Sequence, residues 1–495
     1  MIATRKLQVA ALCAVLCCGV SAQANESPPA AGSTHASLAG NWLGTLKVGA
    51  ISLRLAVAVT AKPDGSYSGT LNSLDQDAVA HPVDEVTLKD KSVHIAFKKL
   101  GLAIDGALNE TGTQIVGKFK QGPLTLPFTL TKSDKPPEAR KRPQEPHPPF
   151  PYRAEEVTYE NKAGHAKFTG TLTIPRGPGR FPAVLLITGS GQQNRDEEIL
   201  GHRPFFVLAD YLTRHGIAVL RVDDRGVGGS TGDVKNATTE DFAGDALAGV
   251  AYLRTRTDID PQKIGLIGHS EGGEIAPMVA NRSNDVAFIV LLAGPGLPGD
   301  QIVLAQAEFL MKQIGASDSL VARTRAFQKK LYAAIKEEHD PAQLAKKIKA
   351  AHTEFQASLT PAEKDLAGAG QDSAELSVKV LGSPWFRFFL SYDPRPALSR
   401  VKCPVLALIG EKDMQVPPKA NIPELEKALR AGGNKDFTVR ELPHLNHLFQ
   451  TCENGSVTEY AKIEETFCPT ALELIAKWIQ EHTSGNPSSG HAARP

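Results

Sequence analysis

Charge of either sign is not in surplus in this 495-residue chain: 55 Lys and Arg stand against 54 Asp and Glu, with no block of like charge along it. Nucleic acid and anionic membrane surfaces are recruited by clustered positive fields, so neither is expected as a partner. Long hydrophobic runs are also missing. The apolar stretch at residues 7–20 is shorter than the roughly 20 residues a bilayer span needs, and nothing later in the chain is a candidate for a stable span. A His-Glu-x-x-His helix and a Gly-Lys-Ser/Thr phosphate loop are both absent, which removes the usual sequence signals for a zinc protease and for nucleotide binding. Cysteine is scarce, and three of the six lie within residues 13–18.

What is present begins with Arg5 and Lys6, the apolar run, and then Ala22-Gln23-Ala24. A basic start, a short apolar segment and a small-x-small site read as a secretory signal peptide over residues 1–24. The expected location is therefore periplasmic or extracellular. In such a compartment Cys452 and Cys468 could bridge, closing a loop for about 3 kcal/mol; without export they are free thiols. Cys403 precedes an apolar strand and reads as a small buried hydrophobe.

Residues 35–133 alternate in short strands broken by turns such as Lys62-Pro63-Asp64-Gly65 and Asn109-Glu110-Thr111-Gly112, the pattern of a small antiparallel barrel or sandwich. The Gly40-Asn41-Trp42-x-Gly44 opening resembles that of lipocalin-like barrels. Either ligand capture or positioning of the rest of the chain would suit such a module. Residues 134–150, rich in Pro and charge, read as a semi-rigid linker between two cores. From 151 to 483 apolar runs at 183–187, 217–222, 264–267, 288–292 and 405–409 alternate with helical patterns, which predicts an α/β fold with a mostly parallel sheet covered on both faces. That alternation stops over about 297–400, where amphipathic helices at 321–337 and 341–355 suggest a helical cap over a site, or else an excursion packed on the sheet edge. The aromatic cluster at 383–389 is expected in the core. Residues 484–495 form a polar tail unable to bury a core.

The chemistry gathers around Gly268-His269-Ser270-Glu271-Gly272-Gly273. Serine is a weak nucleophile unless a sharp strand-to-helix turn thrusts it out, and the flanking glycines let such a turn close. An apolar strand precedes the motif and helical spacing follows it, so Ser270 is the candidate nucleophile. Such a serine requires a base, a group orienting the base, and donors for an oxyanion. Asp413 closes the strand ending in Gly410-Glu411-Lys412-Asp413, with Glu411 the competing carboxylate. His447 is the preferred base and His444 its rival. One oxyanion donor would be the N–H of Ser190 or Gly191 in the turn after the first core strand, and the other the N–H of Glu271. The 223–230 segment, Asp-Asp-Arg-Gly-Val-Gly-Gly-Ser, lacks phosphate-loop spacing and reads as a loop-shaping element.

Taken in order, Thr-Gly-Ser-Gly at 188–191, Asp-Asp-Arg-Gly-Val-Gly-Gly-Ser at 223–230, Gly-His-Ser-Glu-Gly-Gly at 268–273, Gly-Glu-Lys-Asp at 410–413 and Leu-Asn-His-Leu-Phe at 445–449 resemble bacterial α/β-hydrolases of the EstD/Est10 carboxylesterase group, also described as serine aminopeptidase-like. The resemblance spans about residues 151–483 and implies the α/β-hydrolase fold. It also implies a serine hydrolase acting on small to medium acyl esters, with Ser270, Asp413 and His447 as its catalytic set and no metal or organic cofactor. A peptidase and a non-catalytic ligand-binding protein on the same scaffold are the alternatives. Oligomeric state is left open. His444 stands where the pattern leads one to expect a small residue.

Overall fold

The computed structural model describes residues 37–48, 51–75, 77–121, 124–135, 140–313, 315–367 and 373–484. The proposed leader and residues 485–495 of the tail lie outside the described residues. Nine antiparallel strands build the N-terminal domain: β1 (Gly40–Val48), β2 (Ile51–Ala61), β3 (Tyr67–Ser73), β4 (Asp77–Pro82), β5 (Glu85–Lys89), β6 (Ser92–Phe97), β7 (Leu102–Leu108), β8 (Gln114–Gln121) and β9 (Leu124–Ser133). Their order, β4-β3-β2-β1-β9-β8-β7-β6-β5, is an up-and-down meander joined through the β1–β9 pair, so the sheet curls with its gap between β4 and β5. Beside that gap Val83 N–H donates to Gly69 O at 2.9 Å. Alternation drives the curl: Ile115 and Phe119 of β8 turn inward with Trp42, Ile95, Phe97, Ile104 and Phe128, while the polar residues between them face out. Buried Trp42 donates its indole N–H to Leu38 O at 2.8 Å, which satisfies the one polar atom of a large apolar ring.

The linker lies between two cores and is strapped along the second of them. Arg142 donates to the carbonyls of Leu200, Gly201, Ala461 and Ile463 at 2.8–3.3 Å. Gln144 exchanges hydrogen bonds with Thr466 and Phe467, and Glu145 forms a two-pronged pair with Arg203. Proline keeps the segment extended, but its polar side chains find backbone carbonyls on the second domain, and that fixes it. Leu53 of β2 joins a buried apolar cluster with Leu200, Leu448, Tyr460 and Ala461 of the second domain.

An eight-stranded sheet forms the second domain, from β10 (Arg153–Asn161), β11 (Ala166–Ile174), β12 (Phe181–Ile187), β13 (Ala218–Val222), β14 (Ile259–His269), β15 (Phe288–Leu292), β16 (Val405–Gly410) and β17 (Phe437–Leu442). Its order is β10-β11-β13-β12-β14-β15-β16-β17. The first three strands pair antiparallel and the rest are parallel. Strands β13, β15 and β16 are buried at every residue, as a sheet covered on both faces demands. Helices α1 (Pro204–Arg214), α2 (Thr239–Arg254) and α3 (Gly272–Ala280) follow β12, β13 and β14.

Between β15 and β16 come α4 (Gly299–Gln313), α5 (Asp318–Glu337), α6 (Pro341–Ala357), α7 (Pro361–Leu366), α8 (Ser373–Leu381), α9 (Pro384–Ser391) and α10 (Arg395–Leu398). Ser317 and Asp340 cap α5 and α6 by accepting backbone N–H bonds, which is why these helices begin a turn or less from where periodicity alone starts them. The last helices are α11 (Pro418–Ala431), α12 (Val457–Tyr460) and α13 (Pro469–Thr483). One sheet face packs α1 and α13, and the other packs α2, α3 and α11.

The bridge considered between Cys452 and Cys468 does not form, and all three described cysteines are free. Cys468 is the residue before α13, with its sulfur 3.2 Å from Thr470 Oγ1. The Cys452 thiol turns instead to His444 O.

Because hydrogen bonds to a charged group contribute on the order of 1.5–3 kcal/mol, Arg142→Ala is expected to lower the urea midpoint of the full chain by an amount equivalent to about 2 kcal/mol. An unchanged midpoint would contradict a docked strap.

Candidate active site

Strand β14 ends at His269 and the chain turns at Ser270, whose φ of +52° lies in the left-handed region. For a residue with a Cβ this conformation costs on the order of 1–3 kcal/mol, so neighbours must hold it. Ser270 N–H donates to Leu292 O at the end of β15, and Ser270 O accepts from Gly273 N–H, both at 2.8 Å. Glycine is required on either side. A Cβ at position 268 would sit 1.9 Å from Gly272 O, and one at 272 would sit 2.2 Å from Ile187 O. The turn therefore places the serine at the carboxyl edge of the sheet, the edge where open α/β sheets collect their ligands.

Asp413 follows β16 and is buried. Its Oδ1 accepts the N–H groups of Gln415 and Val416 at 2.9 and 2.8 Å, and its Oδ2 lies 2.8 Å from His447 Nδ1. That bond places the proton on Nδ1 and leaves Nε2 as the basic nitrogen. The loop after β17 is shaped by Asn446, whose Oδ1 accepts the N–H groups of Leu448 and Gln450 at 3.0 Å. Of the two candidate histidines, the His447 side chain is only 4% exposed against 70% for His444. His444 N–H donates to Glu411 Oε2 at 2.8 Å, so both rivals stand on the outer side of the loop.

The residue before Ser270, His269, links its turn to His447. Its ring centroid is 4.9 Å from that of His447, and its Nε2 lies 3.0 Å from His447 O. Among the described residues no hydrogen bond joins Ser270 Oγ to the His447 ring, a contact that in ligand-free sites commonly tightens only with substrate.

The turn after β12 packs close to Ser270: a Cβ on Gly189 would lie 3.2 Å from Ser270 Cβ. Gly189 N–H is consumed by Glu197 Oε1 at 2.7 Å. The backbone N–H groups of Ser190, Gly191 and Glu271 have no acceptor among the described residues, and these are the three donors nominated from sequence. The Glu271 side chain points away into a dry niche. There its Oε1 accepts from Thr239 Oγ1 at 2.7 Å and from Trp385 Nε1 of α9 at 2.8 Å, and the Ser190 side chain is also bonded to it. Burial raises the Glu271 pKa, and these donors oppose the rise only in part. One turn on, Glu274 is buried with neither carboxyl oxygen hydrogen-bonded among the described residues. Burial, and then the Glu271 charge, push its pKa well above the carboxylate range.

The 383–389 aromatic cluster divides in two. Phe386 and Phe389 are core of the cap, whereas Trp385 packs on the edge of that core, stacked on Phe389, and turns its indole N–H to Glu271 beside Ser270. The Asp-Asp-Arg loop braces the site without touching it. Asp223 holds the Arg195 backbone and guanidinium, Asp224 accepts from Thr188 Oγ1 and Gln193 N at 2.8 Å, and Arg225 pairs with Asp245. Glu197, Thr239 and Trp385 carried no motif of their own. His269 sits inside the Gly-His-Ser motif, where its place one residue before the turn was the available signal. Among the described residues no three His, Cys, Asp or Glu side chains converge as metal ligands, and no helix is long and apolar enough to cross a membrane.

The profile of the Alpha/beta hydrolase family matches residues 184–454. This chain belongs to the alpha/beta hydrolase family. Within it, esterase EstD of Thermotoga maritima is 26% identical over 313 residues, which cover 63% of this chain and 65% of that protein, so the chain spans just under two thirds of that relative's length. Among solved structures, an esterase of Pyrococcus furiosus aligns over 67% of this chain and 90% of its own at 17% identity with a TM-score of 0.38. Est1E of Butyrivibrio proteoclasticus, solved with ferulic acid bound, aligns over 66% and 96% at 17% identity and 0.37.

The hydrolase turn tolerates no side chain at its first glycine. Gly268→Ala is expected to destabilise the chain by about 4 kcal/mol or more, read as a fall in the thermal midpoint together with loss of Ser270 labelling by a fluorophosphonate. Wild-type behaviour in both assays would refute the steric account.

Proposed function

We propose that this chain is a carboxylesterase that cleaves small to medium acyl esters through an acyl-enzyme on Ser270, with no metal or organic cofactor taking part. The observation that carries this reading is the convergence of the strained Ser270 turn with the buried Asp413–His447 pair at one sheet edge. As Ser270 Oγ bonds to the ester carbonyl carbon, its proton passes to His447 Nε2, and Asp413 stabilises the resulting imidazolium. The N–H of Glu271, with that of Ser190 or Gly191, receives the oxyanion. The C–O bond then breaks and the alcohol leaves with the proton from His447. Water repeats the sequence on the acyl-enzyme, releasing the carboxylic acid and restoring Ser270.

The EstD relative, an esterase by name, supports ester over amide substrates. A peptidase would need a charged, available carboxylate for a substrate ammonium; the Glu271 carboxyl is already engaged by Thr239, Trp385 and Ser190, and burial drives the unbonded Glu274 toward its neutral form. Residues 1–24 support export to the periplasm or beyond, which N-terminal sequencing of the mature protein tests.

Ser270→Ala should lower turnover of p-nitrophenyl acyl esters roughly 10⁴-fold or more with an unchanged circular dichroism spectrum, and Asp413→Asn should lower it on the order of 10⁴-fold. Ester hydrolysis retained by a contaminant-free Ser270→Ala protein defeats the assignment. Faster cleavage of aminoacyl anilides than of esters makes the protein a peptidase, and failure of a fluorophosphonate to label Ser270 makes it a binding protein.

A further inference from the structure

Behind the proposed catalytic set stands a second histidine–carboxylate pair that the proposed reaction does not use. His269 is buried, and both of its ring nitrogens face oxygen: Nδ1 lies 2.9 Å from Glu197 Oε1 and Nε2 lies 3.0 Å from the main-chain carbonyl of His447. A neutral imidazole has one N–H and one lone pair. A carbonyl has no proton to offer, so Nε2 must carry one. Glu197 Oε1 already accepts the Gly189 N–H at 2.7 Å, which is the behaviour of a carboxylate rather than of an acid hydroxyl, so Nδ1 must carry the other. The cavity behind the pair measures about 10 Å³ and is lined otherwise by Pro204, Phe205, Leu292, Leu448, Phe449 and Phe467. At that volume it offers room for a single water at most.

We infer that His269 is a buried imidazolium paired with Glu197, and that this ion pair is a positioning clamp which sets the Ser270 turn, the oxyanion loop and the His447 loop against one another. The inference rests on the proposed reading of the site for its catalytic consequence, though not for the charge state. Three connections meet in the pair. His269 precedes Ser270 directly, Glu197 ties down Gly189 in the oxyanion loop, and the imidazolium holds the main chain of the base. Glu197 itself has a φ of +51°, a conformation that needs surrounding bonds to persist.

The titratable groups bearing on His269 come from the ends of four strands: Glu197 after β12, Asp413 after β16, His447 after β17, and Asp224 after β13, which lies within electrostatic reach of Glu197. Burial lowers the His269 pKa, and the Glu197 charge and hydrogen bond, the His447 carbonyl and the Asp413 charge raise it by more, leaving it above the ordinary 6.5. A raised histidine pKa stabilises the fold fully below the unfolded value, and that stabilisation is lost as pH climbs through the folded value. Loss of the proton from Nε2 would leave a lone pair against the His447 carbonyl and loosen the base.

The charge state is read directly by ¹⁵N-histidine NMR of the full-length protein, with His269→Gln used only to assign its resonances. Both His269 nitrogens should be protonated at pH 7 and should lose a proton only above the ordinary histidine range. One unprotonated His269 nitrogen at pH 7 overturns the inference, whatever the activity. For the clamp, Glu197→Gln should move the alkaline limb of kcat/KM for a p-nitrophenyl ester downward by at least one pH unit. Activity should then fall about tenfold at pH 8 and less at pH 6, where the imidazole is still charged. A uniform loss at every pH, or none, overturns the positioning role. If the wild-type chain hydrolyses no ester at all, the proposed function fails while the NMR result still decides the charge state.

Discussion

The site depends on one steric constraint: a serine held at φ +52° between two positions where no Cβ fits. Backbone strain of this kind persists only where surrounding structure over-determines it, and here the support comes from three directions. Strand β15 accepts the serine's N–H, the helix that follows returns a bond to its carbonyl, and the turn after β12 packs against its Cβ. Because all three supports lie at the carboxyl edge of the buried central strands, the Ser270 turn inherits the rigidity of the core rather than that of a surface loop.

Carboxylates converge on this edge in unusual number. Asp224, Glu271 and Glu274 are buried with raised pKa values, burial being the dominant cause in each, while Asp413 and Glu197 each hold a histidine. Like charges in a dry region cannot all ionise together, so the pairing pattern matters more than the count. Asp413 holds His447 and Glu197 holds His269, whereas Glu271 meets the cap through Trp385 and Asp224 is held by Thr188 and Gln193. The cap enters this network through the indole of Trp385, which ties the helices between β15 and β16 to Glu271, the residue after Ser270.

How legible this was depended on the range of the interactions involved. Ser270 was readable because its turn is built from neighbours two residues away, and the core strands were readable because burial on both faces leaves unbroken apolar runs such as 405–409. His447 could be preferred over His444 but not separated from it, since the distinction is made by Asp413 from another strand. Trp385 was hidden because an aromatic in a short, aromatic-rich helix looks like core, and two neighbours in that helix are core. Glu197 lies in an irregular loop 72 residues from the histidine it holds, with no periodicity to mark it. The docking of the strap was hidden for a related reason. Proline and charge do predict an extended segment, but nothing local says that Arg142 will find four carbonyls waiting.

That strap and the apolar cluster that Leu53 shares with Leu200, Leu448, Tyr460 and Ala461 bear on how the chain can be taken apart. Leu448 follows the proposed base in sequence, so the cluster that holds the N-terminal sheet to the second domain includes a residue of the His447 loop. Severing the molecule at its proline-rich joint would bare the apolar patch of Leu200, Leu448, Tyr460 and Ala461 that Leu53 now helps to cover.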